Sequence, residues 1–162
     1  MISLTALKIA VSYNAETGVF TRLVASGGVR AGEAAGSVKS NGYVYLSIAG
    51  KQHLAHRLAW FMVNGVWPEN DIDHINGDRT DNRFCNMRLA TRAENMQNER
   101  KARVSNKSSG LLGVSWSKAA CKWAAGIKLE GKKKHLGLFD DPQVAHEAYL
   151  SEKRKIHDFC TI

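Results

Sequence analysis

Between residues 11 and 55, apolar and polar positions alternate in short runs cut by turn signals. "VSYNAETGVFTRLV" places Gly18 after a polar turn, and "GSVKSNGYVYLSIAGKQHLAH" sets Asn41-Gly42 and Gly50-Lys51 between runs containing Val38, Tyr43, Val44, Tyr45, Leu46 and Ile48. Such runs, bounded by such dipeptides, predict successive β-hairpins. The period then changes. Leu54, Leu58, Phe61 and Met62 recur at helical spacing, and Asn64-Gly65 with Pro68 supply a stop, so a helix of roughly three turns is expected. "DIDH" at 71–74 is extended in character, "NGD" at 76–78 is a turn, and "NMRLAT" offers a second short strand. Thr91-Arg92-Ala93-Glu94 is a capping box, in which hydroxyl and carboxylate each satisfy a backbone amide. A helix therefore starts near Arg92, and Asn95 falls in its first turn, close to whatever the hairpin before it presents.

From Asn98 to Gly110 the apolar pattern stops. "NERKARVSNKSSG" holds only Ala102 and Val104 as apolar residues and cannot bury a face, so it reads as a basic linker. "LLGVSWSK", "CKWAAGIKLEG" and "KKKHLGLF" then predict three strands with turns at Ala119-Ala120 and Glu130-Gly131. Asp141-Pro142 supplies an N-cap and a first helical residue, and Val144, Ala145, Ala148, Tyr149, Ile156 and Phe159 form an apolar stripe behind them. The fold class expected is α+β, in two domains at 1–98 and 111–162 joined by a linker at 99–110.

Charge narrows the choice of partner. Lys plus Arg number 23 against 15 Asp plus Glu, a net +8, which is the balance expected of a protein that meets a polyanion, with nucleic acid first. A basic protein with no charged partner has the same composition, so position has to decide. The three cysteines, Cys85, Cys121 and Cys160, stand far apart without a C-x-x-C pair, which argues against a disulfide framework and a cysteine-built zinc site. No window has the uninterrupted apolar length of a membrane span and no basic leader is present, so a cytoplasmic protein with no membrane partner is expected.

The chemistry concentrates at 71–98. Hydrolysis of a phosphodiester needs a divalent cation with open positions and a neutral base to activate water. Asp73 offers a hard anionic oxygen, Asn95 an amide oxygen, and His74 an imidazole that titrates in the useful range. Two protein oxygens leave most of an octahedral shell free, the way Mg²⁺ is held beside phosphates. A calcium loop is excluded, because setting Gly77 at the sixth position puts Ile72 at the first and Arg83 at the twelfth. Asn76, Asp78, Asp81 and Asn82 read as turn formers. His53, His56, His135, His146 and His157 lack paired ligand spacing, with His56, beside Arg57 at the start of its helix, a possible exception.

"IDHINGDRTDNRFCNMRLATRAENMQN", with "AHRLAWFMVNG" ahead of it, resembles the HNH nucleases of the phage and homing endonuclease type over about residues 10–98. The resemblance implies a ββα-metal unit at about 70–98. It implies catalytic roles for Asp73, His74, Asn86 and Asn95: Asp73 and Asn95 as metal ligands, His74 as general base, and Asn86 tying the loop across the hairpin. The cofactor implied is one divalent cation, Mg²⁺ first and Mn²⁺ second. Asn95 stands where many relatives have His.

Residues 113–157 resemble the AP2 DNA-binding domain, through Trp123-Ala124-Ala125, His135-Leu136-Gly137-Leu138-Phe139 and the Ala-rich helix after them. That resemblance implies a three-stranded antiparallel sheet with one packed helix, set against double-stranded DNA. The residues expected to touch DNA are Trp116, Lys118, Lys122, Lys128, Lys132, Lys133 and Lys134, with Arg57 in the first domain and Arg100, Lys101 and Arg103 in the linker. With Ser115 and Ser117 where that family carries arginines, phosphate contacts are favoured over base readout. The function implied is a metal-dependent DNA endonuclease, phage-encoded or carried by a mobile element in a bacterial host cell, acting as monomer or homodimer. The rival readings are a non-catalytic DNA-binding protein with a degenerate nuclease domain, and an architectural basic protein.

Overall fold

The computed structural model describes residues 2–26, 28–102, 106–129, 131–157 and 160–161. Arg103 of the expected DNA contacts, Glu130 of the expected second turn and Phe159 of the expected helical stripe lie outside them. The chain divides into two compact units, residues 1–95 and 96–162. The architecture is mixed α/β, with several small antiparallel sheets and four α-helices among the described residues, as an α+β class requires.

The first unit opens with a helix that the alternation pattern did not announce, α1 (Leu4–Ala10), whose Ser3 hydroxyl caps it by accepting from the Ala6 amide at 3.2 Å. The hairpins follow. β1 (Val11–Tyr13) pairs with β2 (Phe20–Arg22), which also pairs with β3 (Ala34–Ala35), while β4 (Ser37–Val38), β5 (Val44–Ile48) and β6 (Lys51–Leu54) form a second three-stranded sheet. α2 (Ala55–Asn64) ends at Gly65 in the left-handed region (φ 73°). Its apolar stripe, Leu58, Ala59 and Phe61, joins Leu7, Val11, Phe20, Leu46, Ile48, Ile72 and Met87 in one buried core. Ile72 and Met87 belong to the ribbon of β7 (Asp71–His74) and β8 (Met87–Ala90). That core fixes the ribbon on which the candidate chemistry stands. α3 (Arg92–Gln97) follows the ribbon.

In the second unit β9 (Val114–Ser117), β10 (Lys122–Leu129) and β11 (Lys132–Phe139) form an antiparallel sheet with β10 in the middle, and α4 (Pro142–Ile156) packs on one face through Ala145 against Val114 and Ala125. Asp141 caps α4, its carboxylate accepting from the Gln143 and Val144 amides. Close packing at the sheet's start demands glycine. A Cβ on Gly113 (φ +76°) would lie 2.1 Å from the Tyr149 ring.

Residues read above as a solvated linker take part in this unit. Lys153, 1% exposed, donates to the Glu99 carbonyl, and Asn106 donates through its amide to the carbonyls of Leu111 (2.9 Å) and Val114 (3.3 Å). Composition alone did not show that these polar residues satisfy buried backbone groups.

Candidate active site

In the β7–β8 ribbon Asp73 lies opposite Arg88 and His74 opposite Met87. Asp73 is 5% exposed and His74 4%. Burial of a carboxylate requires a partner, and Arg88 supplies it: Nε and Nη2 both donate to Oδ2 of Asp73, at 2.9 and 2.8 Å. Arg88 was missed in the sequence, although the register of a two-stranded ribbon puts it directly across from Asp73.

His74 sits in a wall of rings. The His56 ring meets it edge-on (centroids 5.1 Å apart, 83°), Tyr43 lies 6.0 Å away, and Tyr43 and His56 are 5.2 Å apart. Arg79 closes the far side, its guanidinium 4.7 Å from the Tyr43 ring centre while it donates to the Asn41 carbonyl at 2.8 Å. Burial lowers the pKa of His74, against the opposing pull of the Asn82 side chain and the Asp73, Asp81 and Asp78 carboxylates. Burial, with His74 and Arg57, pushes His56 down to about 3. Both imidazoles are therefore neutral near pH 7, and a neutral His74 can accept a proton.

The loop between the strands is held by its own side chains. Asn86, 6% exposed, accepts through Oδ1 from the Asn76 amide (3.0 Å) and donates through Nδ2 to Asn76 Oδ1 (3.0 Å) and the Asp81 carbonyl (2.9 Å). Asp78 accepts from Thr80, and Asp81 takes a forked pair from Arg83 at 2.8 and 2.6 Å. Those bonds hold Asp81 down at about 2. Asn82 is more than the turn former expected above. It is 4% exposed, and its Oδ1 stands 3.4 Å from His74 Nε2.

Thr91 and Glu94 form the capping box, with the Thr91 amide donating to Glu94 Oε2 at 2.7 Å and the Glu94 amide to Thr91 Oγ1 at 3.3 Å. Asn95 lines a cleft of about 290 Å³ with Tyr43, His56, Arg57, Asp71 and Arg92. Arg57 also donates to the carbonyls of Pro68 (2.9 Å) and Asn70 (3.2 Å), so its guanidinium braces that loop. The structure thus gathers Asp73, His74, Asn82 and Asn86 on the ribbon and its loop, and sets Asn95 on a cleft that the outer end of β7 also lines.

In the second unit, register sorts the basic residues between two faces. Residues directly opposite one another share a face, so Trp116 and Trp123, paired and 5.0 Å apart, fall with Val114 and Ala125 on the helix side. Lys134 and, by alternation, Lys132 belong there too, and Lys134 pairs with Glu152 of α4 at 2.7 Å. The open face carries Lys122, Lys128 and Lys133, with Lys122 3.0 Å from Asp140. Trp116 is nonetheless 43% exposed, and Lys118 and Lys101 are exposed. Arg100 donates to the hydroxyl and carbonyl of Thr161.

The ribbon, loop and helix fall within a known family. Residues 53–97 match the HNH endonuclease family model, so the chain carries an HNH endonuclease domain, which implies DNA as substrate or partner. Over 103 residues it is 33% identical to Protein 3.8 of Escherichia phage T7, an alignment spanning 63% of this chain and 83% of the phage protein. The chain belongs to the family of that phage protein. No solved structure matches it, and no helix among the described residues is long and apolar enough to cross a membrane.

HNH nucleases generally use a divalent metal ion. Among the described residues no cluster of three or more His, Cys, Asp or Glu side chains is placed to hold one. The oxygen donors expected for it are the Asp73 carboxylate, beside His74 on β7, and the Asn95 amide, on the cleft that Asp71 and Ile72 also line. Oxygen donors in this small number fit a hard cation that keeps much of its shell for water and phosphate, and do not fit zinc.

Proposed function

We propose that this protein is a metal-dependent DNA endonuclease of the phage or homing type. The observation that carries this reading is a buried ribbon strand carrying consecutive Asp73 and His74, followed by a loop closed by Asn86, inside the HNH endonuclease domain. Neutral His74 takes a proton from water, and the resulting hydroxide attacks phosphorus in line with the departing 3′ oxygen. Asp73 and Asn95 would hold one divalent cation, Mg²⁺ by preference and Mn²⁺ as substitute, and that ion would stabilise charge on the phosphate and the leaving oxygen. Arg88 directs the Asp73 carboxylate through its two bonds to Oδ2. One such site cuts one strand per encounter, so a double-strand break requires two protomers or two successive nicks.

For the second unit we propose a DNA-binding role of the AP2-like kind, read from a three-stranded sheet with one packed helix and lysines on its open face. Lys128 and Lys133 are the strongest candidates for phosphate contact, followed by Lys122, Lys118, Lys101 and Trp116. Lys132, Lys134, Arg100 and Arg57 follow, the last three already committed to partners within the protein.

A second reading, DNA binding without cleavage, draws on Arg88, whose two bonds to Asp73 Oδ2 compete with a cation for that oxygen. Incubating supercoiled plasmid with the protein and Mg²⁺ or Mn²⁺, with and without EDTA, separates the two. Nicking that requires metal and His74 supports the enzyme, and metal-independent binding with no nicking supports the alternative.

A further inference from the structure

We propose that Asn82 is a positioning residue that sets which nitrogen of His74 accepts a proton, and that the N-terminal β1–β2 hairpin holds it in place. The orientation of the Asn82 amide follows from its neighbours. Nδ2 donates to the Thr80 carbonyl at 3.1 Å, which leaves Oδ1, an acceptor, 3.4 Å from His74 Nε2. Turning the amide over would set Oδ1 against the Thr80 carbonyl, two acceptors face to face, so the network selects one orientation. A neutral imidazole has a single N–H, and an acceptor fixes that proton on the nitrogen it faces. Nε2 is therefore protonated, and Nδ1 carries the lone pair.

Asn82 in turn is held from a distant part of the sequence. Tyr13 of β1 donates its hydroxyl to the Asn82 carbonyl at 2.7 Å. Burial, reinforced by Cys85 and Asp81, pushes Tyr13 up to about 12, so the phenol keeps its proton through the physiological range. The Phe84 amide donates to the Ala15 carbonyl at 2.9 Å. The hairpin turn itself presses on the loop: a Cβ on Gly18 (φ +75°) would lie 2.6 Å from the Asn82 carbonyl carbon and 2.5 Å from the Arg83 nitrogen. Glycine is what permits this approach. These three contacts make the hairpin a brace for a side chain that touches the candidate base.

That Nδ1 meets the attacking water rests on the nuclease reading; the tautomer of His74 stands without it. The test is an NMR correlation of imidazole ¹⁵N with ring protons in the full chain, at a pH where His74 is neutral, beside plasmid nicking on the same samples. Wild type is expected to show a single Nε2–H tautomer with a slowly exchanging N–H proton. In Asn82→Ala that proton should exchange freely and both tautomers appear, with kcat for nicking reduced about 10- to 100-fold and KM unchanged. Tyr13→Phe, which leaves the Asn82 side chain in place and removes its brace, should speed exchange of the Nε2 proton. A wild-type ring protonated on Nδ1 overturns the proposal even where Asn82→Ala fails to fold. An Asn82→Ala spectrum identical to wild type overturns it as well. A single Nε2–H tautomer in a protein that nicks no DNA upholds the positioning and overturns the nuclease reading.

Discussion

In residues 1–95 the groups proposed for chemistry are buried, with Asp73, His74, Asn82 and Asn86 each exposing 6% or less, and each is held by named hydrogen bonds. In residues 96–162 the groups suited to a polyanion stand in solvent, on strands whose register alone decides which way they point. The contrast follows from what each task needs. A base and a metal-binding carboxylate must be held within a fraction of an ångström, which takes burial and a filled network. Phosphate contacts tolerate flexible side chains, because the attraction is long-ranged and needs only the right face.

The contrast can be broken most severely from inside the loop. Asn86→Ala removes three part-buried hydrogen bonds, so about 3 kcal/mol of stability should be lost at roughly 1 kcal/mol per bond, read as a lower denaturant midpoint together with lost nicking. Gly18→Ala is expected to cost about 1–3 kcal/mol, because a Cβ there meets backbone atoms and the residue is held at positive φ. If Gly18→Ala melts like wild type, the hairpin does not press on the loop. In the second unit effects should be small and separable by face. Lys133→Ala should reduce the slope of log affinity against log salt by about 1, whereas Lys134→Ala, already paired with Glu152, should change it less. Equal slopes for the two variants would contradict the assignment of faces.

The smallest expected effect is on acid stability. The carboxylates of Asp81, Asp78 and Glu94 are held below their usual range, chiefly by hydrogen bonds from Arg83, Thr80 and Thr91 respectively. A depressed folded-state pKa contributes stability above the unfolded value and loses it as pH falls through the folded one. Melting temperature should therefore decline from about pH 4 toward about 2, the folded value of Asp81. All three side chains are exposed or only partly buried, so solvent screening keeps the decline shallow.

The alternation of the hairpins, the period of α2, the capping box at Thr91 and the three strands of the second unit were legible because each is a local signal with a mechanism. The adjacency of Asp73 and His74 was legible for the same reason. What could not be read were partnerships across sequence distance: Arg88 opposite Asp73, Tyr43 and His56 around His74, and Tyr13 on Asn82. Asn82 was misjudged because an asparagine in a turn forms local bonds in most settings, and only the fold shows this one reaching a histidine. α1 escaped notice because seven residues carry little periodicity and its cap is a single serine. The lysines were visible, but their faces waited on register, including the shift between Ala125 and Gly126.

The central claim is that His74 acts as a base in a metal-dependent nuclease, and plasmid nicking by wild type and His74→Ala, with Mg²⁺ or Mn²⁺ and with EDTA, tests it most directly. The account expects wild type to convert supercoiled plasmid to the nicked form only with metal, and His74→Ala to be slower by about 10²- to 10⁴-fold while still binding DNA. Nicking by His74→Ala at the wild-type rate, or no nicking by wild type with either metal, would contradict it.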